Sequence, residues 1–315
     1  MPVYAYFGPA GTFTEMALDA LLQRRGEETT ATKLAVSSPL AVIDSVRNGD
    51  ADFGCVPIES SLEGAVPATM DALPPKAGQS RVQAYAEVAL DIAFTIAAAT
   101  PLAPEQVRTI AAYPVAAGQV RRSIEKLYPN ATFVVATSNS GAAQDVSKGL
   151  ADAAVTTAVA ARMYGLVAIA DGIADSDDAV TRFLLLGLPG EPSVPTGADR
   201  TSVILDLRNQ PGSLVSAMNE FAMRGIDLTR IESRPRAADS SGSAGAQYRF
   251  YLDARGHIRD AAVGEALRAL YRMAERVVFL GSWAVDPHLP VPSASLPPDH
   301  AESCEWFDQL LQGGS

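Results

Sequence analysis

A short apolar run that ends in a glycine-rich turn and continues as a helix constrains the fold most strongly. Val3-Tyr4-Ala5-Tyr6-Phe7 predicts a buried strand, and the turn that follows it is Gly8-Pro9-Ala10-Gly11-Thr12-Phe13-Thr14. Thr12 and Glu15 have the spacing of a capping box, which predicts a helix from Thr12 to about Arg24. The N–H groups at such a helix start are unpaired and favour an anion. A strand followed directly by a helix is typical of an α/β fold.

A second strand lies further along the chain. The run from Asp52 to Ile58 is apolar and strand-like, and Glu59-Ser60-Ser61 follows it. Ser60 and Glu63 repeat the capping-box spacing, so we expect the next helix to begin there.

The chain also carries a short internal repeat at an offset of 100 residues. In both copies a Ser precedes a helix, a Gly ends the helix, and Ala-Asp leads into an apolar strand. The matching positions are Ser38, Val46, Gly49, Ala51 and Asp52 in one copy, and Ser138, Val146, Gly149, Ala151 and Asp152 in the other. A match this short is compatible with coincidence, but it favours two similar α/β lobes, as in two-lobed periplasmic binding proteins. The chain would enter the second lobe near residues 84–99 and leave it after about Asp171, with ligand bound in the cleft.

The C-terminal part has a different pattern. Residues 189–199 are rich in Pro and Gly and predict a linker. Strands and helices then follow in the order βαββαβ, which is ferredoxin-like. The predicted elements are Thr201–Leu207, Gly212–Met223, Asp227–Arg236, Ala246–Ala254, Asp260–Met273 and Arg276–Val285, with a hairpin loop at Asp239–Ser243. Residues 286–315 predict a Pro-rich, acidic, mobile tail. A short helix around Glu305–Leu311 would group Trp306, Phe307, Leu310 and Leu311.

Length, charge and cysteine content narrow the class of protein. A chain of 315 residues favours two or three domains. The formal net charge of −11 argues against nucleic acid or an anionic membrane surface as a partner. Two cysteines form no disulfide framework and favour a reducing, cytoplasmic location. The N-terminus lacks the pattern of a signal peptide, and no apolar stretch approaches the ~20 residues of a membrane span.

The histidines limit the chemistry. All three, His257, His288 and His300, lie in the last quarter of the chain. The N-terminal region therefore holds no Ser-His or Cys-His pair and no histidine-based metal site. Cys55 lies in an apolar run, which favours a buried structural thiol. Chemistry in this region must use hydroxyls, carboxylates, Arg and backbone dipoles.

Thr181-Arg182-Phe183 lies at the start of the predicted strand Phe183–Leu188, directly after an acidic loop. The loop is Asp175-Ser176-Asp177-Asp178. Judged from these residues alone, Thr181 is an ordinary strand former and Arg182 pairs with the loop.

Taken together, the motifs resemble those of the prephenate dehydratase family with its C-terminal ACT regulatory domain. The motifs that carry the resemblance are Gly8–Thr14, Val56–Gly64, Val180–Phe183, Gly212–Val215 and Ile231–Pro235. The resemblance covers about residues 1–285. It implies an α/β protein with a two-lobed, periplasmic-binding-protein-like catalytic domain at 1–188, whose second lobe spans about 85–170. The linker at 189–199, a ferredoxin-like ACT domain at 200–285 and the tail would follow.

The resemblance also implies a reaction and a set of site residues. The reaction converts prephenate to phenylpyruvate, CO2 and water, with no metal, nucleotide or organic cofactor. Thr181, Arg182 and Glu59 would be catalytic, with the Thr181 hydroxyl stabilising the departing hydroxide. Judged from the residues, a helix start at Glu59 favours its ionised form, and so favours orienting its neighbours over donating a proton. The expected substrate-binding residues are Gly11, Thr12, Phe13, Ser60, Ser61, Ser138, Asn139 and Phe183. The helix starts at Gly8–Thr14 and Ser138–Ser140 would recognise the carboxylates.

Two positions depart from the family pattern. Ser60 stands where Asn is usual, and helix capping alone is as good an interpretation of it as substrate contact. Tyr113-Pro114-Val115 replaces the common His-Pro-Gln, so that His is dispensable if the activity is retained.

The C-terminal motifs imply an effector site. Gly212-Ser213-Leu214-Val215 resembles the Gly-Ala-Leu-Val motif of ACT domains, and Glu232-Ser233-Arg234-Pro235 matches their Glu-Ser-Arg-Pro. On the residues alone, Leu214 and Val215 are core-facing, and Glu232 with Arg234 is a solvated ion pair on one face of a strand. The resemblance instead implies that phenylalanine binds where ACT domains pair, and hence an allosteric homodimer or tetramer.

Two other functions fit the same residues. Arogenate dehydratase shares the motifs, and its substrate differs from prephenate only by an amino group on the side chain. A non-catalytic amino-acid sensor would also combine a two-lobed binder with an ACT domain, although it would have no need of Thr181.

Overall fold

The computed structural model describes residues 1–176, 179–236, 247–289 and 298–313. The chain divides into two units, Met1–Ala72 with Val88–Leu186, and Leu73–Glu87 with Gly187–Ser315. The elements up to Gly187 are β1 (Val3–Phe7), α1 (Phe13–Arg25), β2 (Thr32–Val36), α2 (Pro39–Asn48), β3 (Phe53–Ser60), β4 (Gly64–Ala65), α3 (Pro67–Ala72), β5 (Gln83–Asp91), β6 (Thr95–Ala98), β7 (Thr109–Ala112), α4 (Pro114–Gln119), α5 (Arg121–Leu127), β8 (Thr132–Val135), α6 (Asn139–Ser147), β9 (Ala153–Thr156), α7 (Ala158–Met163), β10 (Val167–Asp171) and β11 (Val180–Gly187).

The first unit contains two sheets. One has the order β2-β1-β3-β11-β5, with β4 paired to β3, and the other has the order β10-β6-β9-β7-β8. The chain passes from the first sheet to the second after Asp91 and returns between Asp171 and Val180. In the first sheet β1 is parallel to both β2 and β3, and in the second β7 is parallel to both β8 and β9.

The internal repeat of the sequence is a repeat of structure. Ser38 caps α2 by accepting a hydrogen bond from Ala41 N at 3.1 Å, and Ser138 caps α6 by accepting one from Gly141 N at 2.8 Å. Each helix leads into the central parallel strands of its own sheet. The expectation of two similar α/β lobes, of the kind found in periplasmic binding proteins, is confirmed.

The repeated aspartates have the same role in both lobes. Asp52 accepts a hydrogen bond from Val3 N at 2.7 Å, at the start of β1. Asp152 accepts one from Thr109 N at 2.8 Å, at the start of β7. Each carboxylate therefore satisfies a backbone donor at the start of a parallel strand of its own lobe.

Helix α1 begins as predicted and ends one residue later than predicted. Thr12 caps it, because its hydroxyl accepts a hydrogen bond from Glu15 N at 3.4 Å. The reciprocal half of the capping box does not form, since the Glu15 carboxylate accepts from Gly11 N at 2.7 Å rather than from Thr12 N.

The helix predicted to begin at Ser60 is wrong. Strand β3 continues to Ser60, and β4 folds back on it with Ser60 paired to Gly64. Gly64 has a φ of 76°, which favours glycine and permits this tight reversal. The hydroxyl of Ser60 accepts a hydrogen bond from Leu62 N at 3.3 Å within the turn, and the next helix begins only at Pro67.

The second unit has the predicted βαββαβ order. Its elements after the linker are β12 (Asp199–Asp206), α8 (Ser213–Ala222), β13 (Leu228–Arg236), β14 (Gln247–Arg255), α9 (Ala261–Met273), β15 (Arg276–Ala284) and α10 (Pro298–Leu311). The sheet order is β13-β14-β12-β15 with antiparallel pairing, which is the ferredoxin-like arrangement. One face packs on the two helices through a core that includes Leu205, Phe221, Leu252 and Leu270.

The start of the C-terminal tail is anchored rather than mobile. Asp286 is buried, its N–H donates to the Glu87 carboxylate at 3.1 Å, and its own carboxylate accepts from His288 N at 2.9 Å. Glu87 is in turn paired with Arg200 at 2.6 Å. Helix α10 begins earlier than predicted, and the side chains of Trp306, Phe307, Leu310 and Leu311 are exposed on it. The predicted hairpin loop Asp239–Ser243 and residues 290–297 lie outside the described residues. None of the helices in the described part of the chain has the length and apolar character needed to span a membrane.

Candidate active site

Three of the predicted motifs lie at one edge of the six-stranded sheet, the edge at which the parallel strands β1 and β3 end. Because β1 and β3 are parallel, the turn Gly8–Thr14 after β1 and the end of β3 at Ser60 are at the same edge. The start of β11 is joined to this edge by two hydrogen bonds. Ser61 N donates to Val180 O at 2.8 Å, and Val180 N donates to the Ser61 hydroxyl at 3.0 Å. The structure thus brings Glu59–Ser61 and Val180–Arg182 together.

Three helices begin at the corresponding edge of the second sheet. Helix α4 follows β7, α6 follows β8 and α7 follows β9, and these three strands are parallel. Ser138 caps α6. Thr157 caps α7 by accepting a hydrogen bond from Ala160 N at 3.0 Å.

Hydrogen bonds between the lobes show that the two edges face each other. The Ser140 hydroxyl donates to Ala10 O, and the Thr157 hydroxyl donates to Gly11 O at 2.8 Å. Further along the same edges, Gln119 Nε2 donates to the Glu63 carboxylate at 3.1 Å. The helix start at Ser138–Ser140 therefore faces the first lobe, as the sequence predicts.

The two lobes approach each other closely at Gly11. Its φ is 81°, a value that favours glycine. A Cβ at this position would lie 3.0 Å from both Ala160 Cβ and Met163 Cε, and 3.1 Å from the Ser140 hydroxyl. A side chain here would displace either the turn or the helices that contact it.

The first turn of α1 is partly occupied by a carboxylate of the chain itself. Glu15 accepts from Gly11 N, and it also forms an ion pair with Lys33 at 2.9 Å. Burial acts to raise the pKa of Glu15, but Gly11 N–H and Lys33 outweigh it and hold that pKa below its ordinary value. The Gly11 N–H is therefore not available to a ligand.

The Thr12 hydroxyl is also used within the turn. It caps α1 and donates to Phe7 O at 3.3 Å. The N–H groups of Thr12 and Phe13 have no hydrogen-bond acceptor among the described residues. These two backbone donors are therefore open to an anion.

Arg182 is paired with Glu59. The Arg182 Nη1 atom lies 3.4 Å from Glu59 Oε2, and the Arg182 side chain is 7 % exposed whereas that of Glu59 is 31 % exposed. Within the acidic loop, Asp175 accepts from Arg122 N at 2.9 Å and thereby satisfies a donor at the start of α5. Asp177 and Asp178 lie outside the described residues.

The physical reason that the sequence suggests for an ionised Glu59 is wrong. Glu59 is on strand β3 and not at a helix start. What faces its carboxylate is the guanidinium of Arg182.

Two aromatic residues of the predicted site contribute to packing. Phe13 meets Phe94 edge to face with ring centroids 5.6 Å apart, and it packs against the core of the second lobe. Phe183 is buried in the strand next to Arg182. Substrate contact by either residue stays a prediction.

Asn139, in the first turn of α6, has an unusual environment. Its side-chain Oδ1 is buried, with no hydrogen-bond partner among the described residues. Its main-chain oxygen accepts from the Thr156 hydroxyl at 2.7 Å. Leaving a buried amide oxygen unpaired costs about 1–3 kcal/mol, which favours a water or ligand donor at this position.

Sequence reasoning missed Thr157 and Gln119. Thr157 had a signal, since a Thr directly after the apolar strand Ala153–Thr156 is a helix-cap pattern. Gln119 acts through Glu63, a partner 56 residues away that no local pattern reveals. Among the described residues, no group of three or more His, Cys, Asp or Glu side chains is placed to hold a metal ion.

The predicted effector motifs lie on α8 and β13 of the second unit. Gly212 has a φ of 85° with open space around its missing Cβ, so conformation rather than crowding explains the glycine. Leu214 and Val215 are 38 % and 62 % exposed, so the prediction from the residues alone that they face the core is wrong. Ser213, beside them, is half-buried.

Strand β13 is at the edge of its sheet. Glu232 and Arg234 share a face of it, as predicted, and are half-buried, whereas Ile231, Ser233 and Pro235 on the other face are exposed. An edge strand with exposed apolar neighbours is a surface suited to pairing.

The fold and the site together define a class. It is a two-lobed α/β protein joined to a ferredoxin-like unit. Hydroxyl, carboxylate and arginine side chains lie at the sheet edge of the first lobe that faces the second lobe. Residues 4–190 match the sequence model of the family described as prephenate dehydratase, and the chain belongs to this family.

Similar proteins extend the likeness to the whole chain. A prephenate dehydratase of Mycolicibacterium vanbaalenii is 50% identical over 322 residues, covering 99% of both chains. Another, of Mycolicibacterium gilvum, is 48% identical over 319 residues, covering 99% of each chain. The crystal structure of prephenate dehydratase from Arthrobacter aurescens in complex with L-Phe is similar with a TM-score of 0.85 and 33% identity, covering 98% of this chain and 99% of that one.

Proposed function

We propose that this protein is a prephenate dehydratase that converts prephenate to phenylpyruvate, CO2 and water in phenylalanine biosynthesis. The observation that carries the proposal is the junction of the Glu59–Arg182 ion pair, the Ser61–Val180 hydrogen bonds and Thr181 at the edge that faces the second lobe. Full-length relatives that bear this name support it.

The residues at this junction suit the reaction. Aromatisation of the ring supplies much of the driving force, so the protein must hold two carboxylates and assist departure of the ring hydroxyl. Thr181 follows Val180, whose backbone is fixed at both N and O by Ser61. A hydroxyl on such a rigid strand can donate one well-aimed hydrogen bond to the developing hydroxide, which stabilises the transition state electrostatically.

Arg182 and Glu59 have distinct parts in the proposed mechanism. The buried Arg182 places a positive charge in the strand that carries Thr181, and Glu59 orients its guanidinium. Substrate carboxylates are recognised by backbone N–H groups at the start of α1 (Thr12 and Phe13) and of α6 (Ser138, Asn139). The chemistry needs no metal, nucleotide or organic cofactor.

The second unit is proposed to be an ACT regulatory domain that binds phenylalanine. Support comes from the L-Phe complex of the Arthrobacter aurescens protein, from the exposed Leu214 and Val215 on α8, and from the exposed Ile231 on the edge strand β13. Pairing of two copies at this edge would give a homodimer or tetramer with allosteric control. The proposed division is a catalytic domain at 1–188, a linker at 189–199, the ACT domain at 200–285 and a tail at 286–315, in a cytoplasmic protein.

Incubation of the purified protein with prephenate, and separately with arogenate, tests the proposal. Prephenate should yield phenylpyruvate, which is measured by its absorbance in alkali. Phenylalanine formed from arogenate, with no product from prephenate, would show an arogenate dehydratase. Absence of product from either substrate, with amino-acid binding retained, would show a sensor.

A further inference from the structure

Two buried hydroxyls of the second lobe hold consecutive carbonyl groups of the Gly8–Thr14 turn. Ser140 donates to Ala10 O and Thr157 donates to Gly11 O. Both side chains are at most 1 % exposed, so water does not compete for these bonds. Buried hydrogen bonds of this kind hold their geometry, because leaving either partner unpaired is costly.

These two bonds fix the orientation of the turn as well as its position. A peptide group is planar, so holding the carbonyl of Ala10 and then that of Gly11 sets two successive peptide planes. Those planes include the N–H groups of Gly11 and Thr12. Ala160 and Met163 also pack closely against the turn at the position of Gly11. The start of α1 is thereby held at a fixed place against the starts of α6 and α7.

We propose that Thr157 is a positioning residue for substrate binding. Together with Ser140, it sets the separation between the α1 start on one lobe and the α6 start on the other, the two places at which the carboxylates of the substrate are proposed to bind. This inference rests on the proposed function, because it is the dicarboxylate that requires a fixed separation. Thr157 does not touch the substrate, and it acts through the carbonyl of Gly11.

The Thr157 hydroxyl has two partners, which allows its roles to be separated. It caps α7 by accepting from Ala160 N, and it donates to Gly11 O. Ser38 is a matched control, since its hydroxyl caps α2 in the same way and accepts from Ala41 N inside its own lobe. Ser140→Ala is a second test, because Ser138 and not Ser140 caps α6 and because Ala is the best helix former.

The experiment measures KM and kcat with prephenate for the wild type, Thr157→Val, Thr157→Ser, Ser140→Ala and Ser38→Ala, with thermal midpoints recorded alongside. Thr157→Val should raise KM about tenfold and leave kcat within about threefold, as expected for loss of one buried hydrogen bond that shapes the site. Thr157→Ser keeps the hydroxyl and should restore KM to within about threefold of the wild type.

Ser140→Ala should also raise KM, so the inference remains testable even if Thr157→Val does not fold. Ser38→Ala should lower the thermal midpoint without raising KM.

Two results would overturn the inference while the proposed function stands. One is a KM within twofold of the wild type in both Thr157→Val and Ser140→Ala, and the other is an equal rise of KM in Ser38→Ala. Titration calorimetry with the product phenylpyruvate distinguishes failure of the proposed function from failure of this inference alone. A wild type that neither turns over prephenate nor binds phenylpyruvate would overturn the proposed function and this inference together.

Discussion

The guanidinium of Arg182 and the carboxylate of Glu59 lie 3.4 Å apart, on neighbouring strands of one sheet. Arg182 is nearly buried, whereas about a third of the Glu59 side chain remains exposed. Arg182 directly follows Thr181 in strand β11, at the sheet edge that faces the second lobe. In the proposed mechanism the function of the ion pair is to hold a positive charge at a fixed place in the strand that carries Thr181.

Glu59→Gln should reduce activity more than stability. The substitution removes the charge that orients Arg182, so we expect kcat to fall about tenfold or more with prephenate. Because Glu59 is partly exposed, the loss of unfolding free energy should be only about 1 kcal/mol. Urea unfolding and steady-state kinetics measure the two effects. Glu28→Gln, an exposed position of the same lobe, is the control and should change neither. A kcat for Glu59→Gln equal to that of the wild type would show that the ion pair has no part in turnover.

Asp152 gives a prediction about pH. The N–H of Arg108, followed by the N–H and hydroxyl of Thr109, holds the pKa of Asp152 below its ordinary value. A carboxyl whose pKa is lowered on folding stabilises the folded state above its unfolded pKa, and that stabilisation is lost as the pH falls through the folded pKa. At pH 7 Asp152→Asn should therefore unfold about 2–4 °C below the wild type, a shift that corresponds to about 1 kcal/mol in a domain of this size.

The difference in unfolding temperature between the wild type and Asp152→Asn should shrink as the pH is lowered into the acid range. Thermal unfolding recorded at a series of pH values measures it. Asp50→Asn removes an exposed carboxylate of the other lobe and should give no such pH-dependent difference. A difference for Asp152→Asn that stays the same at neutral and acid pH would contradict the assigned role.

The edge strand of the second unit gives a prediction about control. If phenylalanine binds between Gly212–Val215 and the β13 strand, Arg234→Ala should abolish the effect of phenylalanine on turnover. We expect that effect to correspond to a coupling free energy on the order of 1–3 kcal/mol in the wild type. Each variant is compared with its own rate in the absence of phenylalanine, and Arg272→Ala on the exposed face of α9 is the control. Equal sensitivity in Arg234→Ala and the wild type would place the effector elsewhere.

Much of the fold is predictable because its signals are local. The run Val3–Phe7, the cap at Thr12 and the βαββαβ order after residue 199 follow from periodicity and capping, and the strand and helix limits agree to within about two residues. The helix predicted at Ser60 failed because the same spacing of Ser and Glu also fits a hairpin, and Gly64 favours the hairpin. Periodicity also failed for Leu214 and Val215, since an apolar residue in a helix can face a pairing surface as well as a core.

The candidate site is predictable only in part, for a physical reason. Motifs at strand ends predict which segments lie at the edge of a sheet, and Glu59, Ser61 and Arg182 do meet there. The contacts that join the lobes depend on tertiary packing. Thr157 bonds to Gly11 across a separation of 146 residues, and no local pattern in either segment reveals its partner.

The central claim is that the Thr181 hydroxyl stabilises the departing hydroxide, and substitution of Thr181 tests it most directly. The measurement is kcat with prephenate for the wild type, Thr181→Ser and Thr181→Ala, with near-ultraviolet circular dichroism and phenylalanine binding to confirm that each variant is folded. The account predicts that the wild type forms phenylpyruvate, that Thr181→Ala lowers kcat by roughly 10²–10³, the usual cost of losing one transition-state donor, and that Thr181→Ser retains much of the activity. A folded Thr181→Ala variant that turns over prephenate within a few-fold of the wild type would contradict it.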